Sequence, residues 1–352
     1  MEKNYLGSSE IDISSLGIGT MTYGEQNTEA EAFAQLDCAI HHGVNLIDTA
    51  EMYPVPPQEK TFTRTEQIIG NWIQTRKCRQ NIVLATKVVG PTFQSRAMGR
   101  YIRDGINHLT KKNIVSALEG SLRRLKTETI DIYQIHWPDR IVNIFGQRGF
   151  VLHENEETEN AEISETLKVL ENLRKEGKIR AYGVSNETPW GVMQYLSFAE
   201  KNCWEKIVSI QNPYNLLNRS FESGLAEISH RESVGLLAYS PLAFGVLTGK
   251  YLDGKKPALA RLTLFSRFQH YKNKNALKAT KEYILLAKKH SLDPTQMALA
   301  FARTRPFMAS VLLGATSIKQ LETNLSSVEV KLSEEVLKGI EDIHRRIPNP
   351  CD

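Results

Sequence analysis

The sequence predicts an α/β protein: a (β/α)8 TIM barrel with an N-terminal hairpin and two additional helices. Three observations carry that expectation. Strand-like and helix-like stretches alternate from one end of the chain to the other, about eight times, which favours parallel strands joined by helical crossovers. Most of the strand-like runs are continuously apolar, as in parallel strands covered on both faces. Three of them end on an ionisable side chain, Asp48, Lys87 and His136, and a parallel barrel gathers its strand carboxyl ends on the face where active sites sit.

The strand-like runs cover 16–20, 45–50, 82–88, 130–137, 179–186, 207–214, 234–242 and 309–316. Helical patterns fill the gaps. Residues 29–42 are apolar at Phe33, Leu36, Ala39 and Ile40; residues 112–125 at Ile114, Ala117, Leu118, Leu122 and Leu125; residues 163–176 at Leu167, Leu170 and Leu173. The stretches 189–201, 221–230, 294–304 and 318–325 keep the same i, i+3, i+4 spacing. Gly43 and Gly177 stand where a C-cap glycine would. Thr188-Pro189 and Asp293-Pro294 read as an N-cap followed by an N1 proline. Residues 4–14 read as a hairpin closing the barrel bottom, and 276–289 and 334–345 as the added helices. With no short-period repeat and no Pro/Gly/Ser-rich linker, one domain is expected over 1–352.

Three connections, 89–111, 138–162 and 243–275, are too long for simple turns. All leave strand carboxyl ends, so they should overhang the same mouth. The middle one carries Phe145 and Phe150 in an otherwise polar stretch ending in Glu154, Glu156, Glu157 and Glu159. It is either a surface loop or the aromatic wall of a substrate pocket.

Composition excludes several classes. The 44 basic and 40 acidic residues nearly balance, and no Lys/Arg block stands out, so there is no case for nucleic acid. No run of about 18 apolar residues occurs, so no membrane span is expected. The N-terminus lacks the apolar core of a signal peptide. Cys38, Cys78, Cys203 and Cys351 are scattered, with no CxxC pair; neither a zinc site nor a disulfide framework is suggested, and a reduced cytosolic setting fits. His41-His42 lacks an HExxH context and reads as helix surface; His344-Arg345-Arg346 complements a helix C-terminus. Trp72, Trp190 and Trp204 are expected to be packing residues.

The strand-end residues suggest a chemistry. Tyr53 follows Asp48 by five positions. A free tyrosine has a pKa of about 10 and gives up its proton poorly at neutral pH; a nearby lysine ammonium favours the tyrosinate. An aspartate would hold that ammonium charged and in place, and a neutral histidine would orient a carbonyl oxygen. Such a positioned acid contributes about a hundred- to ten-thousandfold in rate. Each residue alone has an ordinary explanation: a helix cap for Asp48, a loop aromatic for Tyr53, a solvated charge for Lys87, a core histidine for His136. Four together are hard to obtain from packing.

Asp48-Thr49-Ala50-Glu51-Met52-Tyr53, Ala85-Thr86-Lys87 and Gln134-Ile135-His136-Trp137 resemble the motifs of the aldo-keto reductases. The resemblance spans nearly the whole chain, from Leu16-Gly17-Ile18-Gly19-Thr20-Met21 to Leu312-Leu313-Gly314-Ala315-Thr316. Asn186-Glu187-Thr188, Gln211-Asn212-Pro213-Tyr214 and Leu264-Phe265-Ser266-Arg267-Phe268 narrow it to the bacterial Tas-type NADP(H)-dependent members. It implies reduction of a small-molecule carbonyl substrate, with Tyr53 as general acid, Asp48 and Lys87 as its tuning pair and His136 orienting the carbonyl.

The cofactor so implied is NADP(H). Gly17-Ile18-Gly19 lacks the third glycine of a Rossmann turn. The stretch 245–251 is one residue short of a P-loop and ends in Tyr251, where Ser or Thr should hold magnesium. The resemblance instead places Thr20 and Met21 beside the cofactor. Ser185, Asn186 and Gln211 would bond the nicotinamide carboxamide, and Tyr239 would stack on the ring. The stretch Ser240, Pro241, Leu242, Ala243, Phe244, Gly245, Val246, Leu247, Thr248, Gly249 and Lys250 would wrap the pyrophosphate with its backbone N–H groups. Gly314, Thr316, Gln320 and Asn324 would take the adenosine end, where a helix N-terminus suits a phosphate oxygen. The Lys-Ser pair of many relatives is absent after the last strand, so a 2′-phosphate would depend on Arg261, with Lys250 second.

The main rival is a cofactor-bound regulatory or scaffolding subunit like the potassium-channel β-subunits, which resemble this fold but lack the strand-end histidine. A barrel hydrolase or lyase without a nicotinamide is the third reading. Tyr23, Met52, Trp137, Phe145, Tyr214 and Phe244 are expected to line a largely apolar substrate pocket. Substrate and oligomeric state stay open.

Overall fold

The computed structural model describes residues 1–92, 101–105, 107–143, 149 and 161–351. Phe145, Phe150 and the four glutamates between 154 and 159 lie outside the described residues. Eight parallel strands close into a barrel: β3 (Leu16–Gly19), β4 (Leu46–Asp48), β5 (Val83–Val88), β6 (Ile130–Ile135), β7 (Ile179–Ser185), β8 (Ser209–Gln211), β9 (Gly235–Ala238) and β10 (Met308–Leu313), with β10 pairing back onto β3. Seven of the eight expected runs contain their strands, and β10 begins one residue ahead of its run, at Met308; the runs overshoot by as many as four residues, at 234–242. The overshoots lead into the mouth, where extended backbone stops pairing while side chains still point inward.

Helices cover the barrel: α1 (Glu29–His41), α2 (Arg64–Arg76), α3 (Lys111–Leu125), α4 (Ile163–Lys175), α5 (Pro189–Asn202), α6 (Leu225–Glu232), α7 (Arg261–Leu264), α8 (Lys274–Lys289), α9 (Pro294–Arg303), α10 (Ile318–Leu325) and α11 (Glu334–Arg346). The added helices of the sequence reading are α8 and α11. The Thr188 and Asp293 side chains cap α5 and α9 as expected. Helix α2 is absent from the sequence reading. Its apolar stripe, Ile68, Ile69, Trp72 and Ile73, is buried, but β-branched and aromatic residues with a central glycine make a weak helix signal. Gly70 is there for closeness: a Cβ would stand 2.0 Å from the Arg124 carbonyl oxygen at the end of α3. Trp72 packs in the core as expected. Trp190 does not: it is 59% exposed on α5, with the Arg140 guanidinium 5.0 Å from its ring centre, because the first turn of α5 faces outward at the mouth.

The amino-terminal hairpin, β1 (Lys3–Tyr5) against β2 (Asp12–Ser14), closes the barrel bottom. Leu6, Ile11 and Ile13 are buried among inward-facing Leu46, Val83, Ala85, Ile132, Ala181, Leu237 and Ala309. Gly7 makes the turn with φ +59°, and a Cβ there would meet the Val208 carbonyl oxygen at 2.4 Å.

At the mouth, two buried carboxylates tie the long connections down. Glu51 accepts two hydrogen bonds from Arg103 (2.7 and 2.8 Å) and one from the Val89 backbone N–H (2.8 Å). This joins the loop after β4 to the one after β5. Asp139 accepts from the backbone N–H groups of Leu109 (2.6 Å) and Ala161 (3.2 Å) and stands 2.8 Å from His108 Nδ1. One carboxylate thus gathers the end of one long connection and both ends of the next.

Candidate active site

The site follows from strand parity. Side chains two apart on a strand share a face, so the apolar barrel interior continues upward into polar groups. Leu46 leads to Asp48, and Val83 and Ala85 lead to Lys87. Ile132 leads to Gln134 and His136, and Ser209 to Gln211. Lys87 and Gln134 are register partners on adjacent strands, as are Ser185 and Gln211.

Asp48 and Lys87 form a fully buried ion pair, Nζ to Oδ2 2.7 Å, and Lys87 also donates to the Thr49 carbonyl at 2.6 Å. Burial holds Lys87 below the ordinary lysine pKa, opposed by the charge and hydrogen bond of Asp48. The second carboxylate oxygen of Asp48 accepts from Gln134 (3.2 Å) and Gln211 (2.8 Å). The ammonium of Lys87 lies 5.0 Å from the ring centre of Tyr53, and the Tyr53 and His136 rings meet edge to face at 5.7 Å. The four strand-end residues are therefore brought together. His136 is driven well below its ordinary pKa, first by burial and then by the charge of Lys87. Its Nδ1 is buried without a hydrogen-bond partner among the described residues.

One electrostatic expectation is corrected. Tyr53 is not acidified: burial and the charge of Asp48 raise its pKa, and only Arg261 opposes them.

These groups open into a cavity of about 1990 Å3, larger than the ~300–1,000 Å3 typical of a drug-sized ligand. Thr20, Met21, Ser185, Asn186, Gln211 and Tyr239 line it, as do Ser240, Pro241, Leu242, Phe244, Gly245, Thr248 and Lys250, then Arg261, Gly314, Thr316, Gln320 and Asn324. Ala243, Val246 and Leu247 are instead buried in the core, and Gly249 sits against Ile284. The chain there winds through positive φ at Ala243, Phe244 and Gly245 (49°, 54° and 88°), which puts Phe244 and Gly245 on the cavity and Ala243 in the core. Thr20 donates its hydroxyl to the Asp48 carbonyl at 2.8 Å. Tyr239 donates to Asn186 Oδ1 at 2.6 Å, and Asn186 donates to the His136 carbonyl at 2.8 Å.

Of the cations lining the cavity, Arg261 and Lys250 are neighbours, while Lys319 is exposed. Arg261 packs over the Phe244 ring at 5.1 Å and 3.7 Å from Met21 Sδ, and burial lowers its pKa to about 10. Lys250 is lowered by burial and by the neighbouring Arg261. Buried like charges of this kind suit a polyanionic ligand. Of the expected substrate-pocket residues, Met52, Trp137 and Phe244 line the cavity. Tyr23 and Tyr214 do not: both are buried in the core, their hydroxyls donating to Gln35 and Glu222. Residue type alone does not say which way an aromatic ring points. The sequence reading also missed Glu51 and Gln134 as site-building residues, although both stand inside the motifs it quoted.

A model of the aldo/keto reductase family matches residues 15–345. The chain belongs to the aldo/keto reductase family. It is 51% identical to Protein tas of Escherichia coli over 351 residues, covering all of both chains. Identity is 35% with an aldo-keto reductase of Babesia bovis, over 76% of this chain and 98% of that one. With the uncharacterized oxidoreductase YqkF of Bacillus subtilis it is 32%, over 97% and 96%. The family supports an oxidoreductase activity, and its fold is the barrel described above. Among the described residues, no helix is long and apolar enough to cross a membrane, and no group of three His, Cys, Asp or Glu side chains could hold a metal ion.

Proposed function

We propose that the protein reduces aldehydes or ketones to alcohols with NADPH, reversibly, as a single barrel domain working in the cytosol. The observation that carries this reading is the buried Asp48–Lys87 pair beneath Tyr53 and His136, at the floor of a cavity lined by Lys250 and Arg261. The residues present fit a dinucleotide: Ser185, Asn186, Gln211 and Tyr239 would hold its nicotinamide, the 240–250 turn with Lys250 its pyrophosphate, Gln320 and Asn324 its adenosine, and Arg261 a 2′-phosphate. NADPH, when bound, supplies the hydride.

The rest is done by side chains. His136, held neutral, has an N–H to offer a carbonyl oxygen. Tyr53, with its pKa held high, keeps its proton until charge develops on that oxygen, then delivers it. Lys87, fixed by Asp48, stabilises the tyrosinate left behind. His136 also favours an enzyme over a channel-type subunit, and four scattered cysteines with no CxxC pair suit a reducing compartment.

Tyr53→Phe should lower turnover at least a hundredfold, about the contribution of a positioned acid, while cofactor affinity stays near normal. Steady-state rates on an aldehyde and ketone panel and fluorescence titration with NADPH check this; retained turnover removes Tyr53 from its role. Arg261→Ala should weaken NADPH by about tenfold or more, as for loss of a charged hydrogen bond, and NADH far less. Equal losses would move the selectivity elsewhere.

A further inference from the structure

Where the carboxamide of a nicotinamide would lie, the hydrogen-bond donors are already committed inside the protein. Asn186 Nδ2 donates to the His136 carbonyl (2.8 Å) and to Ser185 Oγ (3.2 Å). The Ser185 hydroxyl donates to the Gln211 carbonyl at 2.7 Å. Gln211 Nε2 donates to Asp48 Oδ1 (2.8 Å) and to Gln134 Oε1 (3.2 Å), which uses both its hydrogens. Gln134 in turn donates its own amide to Asp48 Oδ1.

The direction of these amides is set by chemistry. Asp48 is ion-paired with Lys87, and a carboxylate only accepts. Turning either amide over would set a carbonyl oxygen against it. Gln211 therefore keeps its Oε1 for the cavity it lines, and no described residue donates to that oxygen. Ser185 and Asn186 likewise retain only lone pairs. Gln134 is fully buried and does not line the cavity, so it acts through Gln211.

We propose that Gln134 is a positioning residue: with Asp48 it fixes the amide plane of Gln211, making this subsite acceptor-only and selective for the hydrogen-bond-donating amine of a carboxamide. The inference rests on the nicotinamide reading above. The experiment is calorimetric titration of wild type, Gln134→Met, Gln134→Leu and Gln211→Met with three oxidised cofactors: NADP+, its thionicotinamide analogue, which keeps the amine, and its 3-acetylpyridine analogue, which replaces it by methyl.

Wild type should bind the acetylpyridine form about fivefold more weakly than NADP+, one net hydrogen bond, and the thionicotinamide form within about twofold. Gln211→Met should abolish that discrimination. Either foldable Gln134 variant should reduce it by at least about twofold. Equal binding of all three forms by wild type overturns the inference and leaves the cofactor reading standing. So does discrimination unchanged in the Gln134 variants. If wild type binds none of the three, the cofactor reading falls and takes the inference with it.

Discussion

His136 is pressed toward its neutral form by two effects that add, burial and the neighbouring ammonium of Lys87. The sign of the consequence is fixed. Below about pH 6.5 the unfolded histidine takes up a proton that the folded one refuses, so stability falls as pH drops through that range. Denaturant unfolding of wild type and His136→Gln between pH 5 and 7 checks this. The variant should lose part of the decline, up to about 1.4 kcal/mol per pH unit; identical slopes would mean that the imidazole is solvated. Asp48, Lys87, His136 and Tyr53 could be found in the sequence because each is ionisable and ends or follows an apolar run. Gln134 could not, since an uncharged amide inside such a run looks like an imperfection until parity puts it on the face shared by Ile132 and His136.

Loops at the mouth are held by buried ion pairs as well as by an apolar cluster of Ala50, Met52, Val55, Val89, Ile102 and Trp137. Glu51 ties the loop bearing Tyr53 to the one after β5 through Arg103 and the Val89 N–H. Glu51→Ala should cost about 3 kcal/mol, because Arg103 and a backbone N–H are left unpaired. Urea unfolding measures it, and a loss below about 1 kcal/mol would place the pair among solvated surface bridges. The strands and most helices were readable from periodicity and caps. Helix α2 was not, because Gly70 and the β-branched residues that let it pack tightly on α3 erase the local preference for helix. The winding at Ala243, Phe244 and Gly245 was equally hidden, since only the glycine advertises a positive φ.

The two ends of the barrel are chemically separate. The hairpin seals the bottom with Leu6, Ile11 and Ile13, while all the ionisable groups of the site stand at the top. Leu6→Ala should lower global stability by about 2–5 kcal/mol through the void it leaves, yet leave NADPH affinity unaltered at temperatures where the variant is folded. Thermal melts with parallel cofactor titration test this; a matching loss of affinity would show the ends to be coupled. Asp139 has a different consequence. Because its carboxylate accepts from the Ala161 N–H, positions 139 and 161 are held at a fixed separation. A segment of another length between them need only meet the same two anchor points, with the scaffold beneath unchanged.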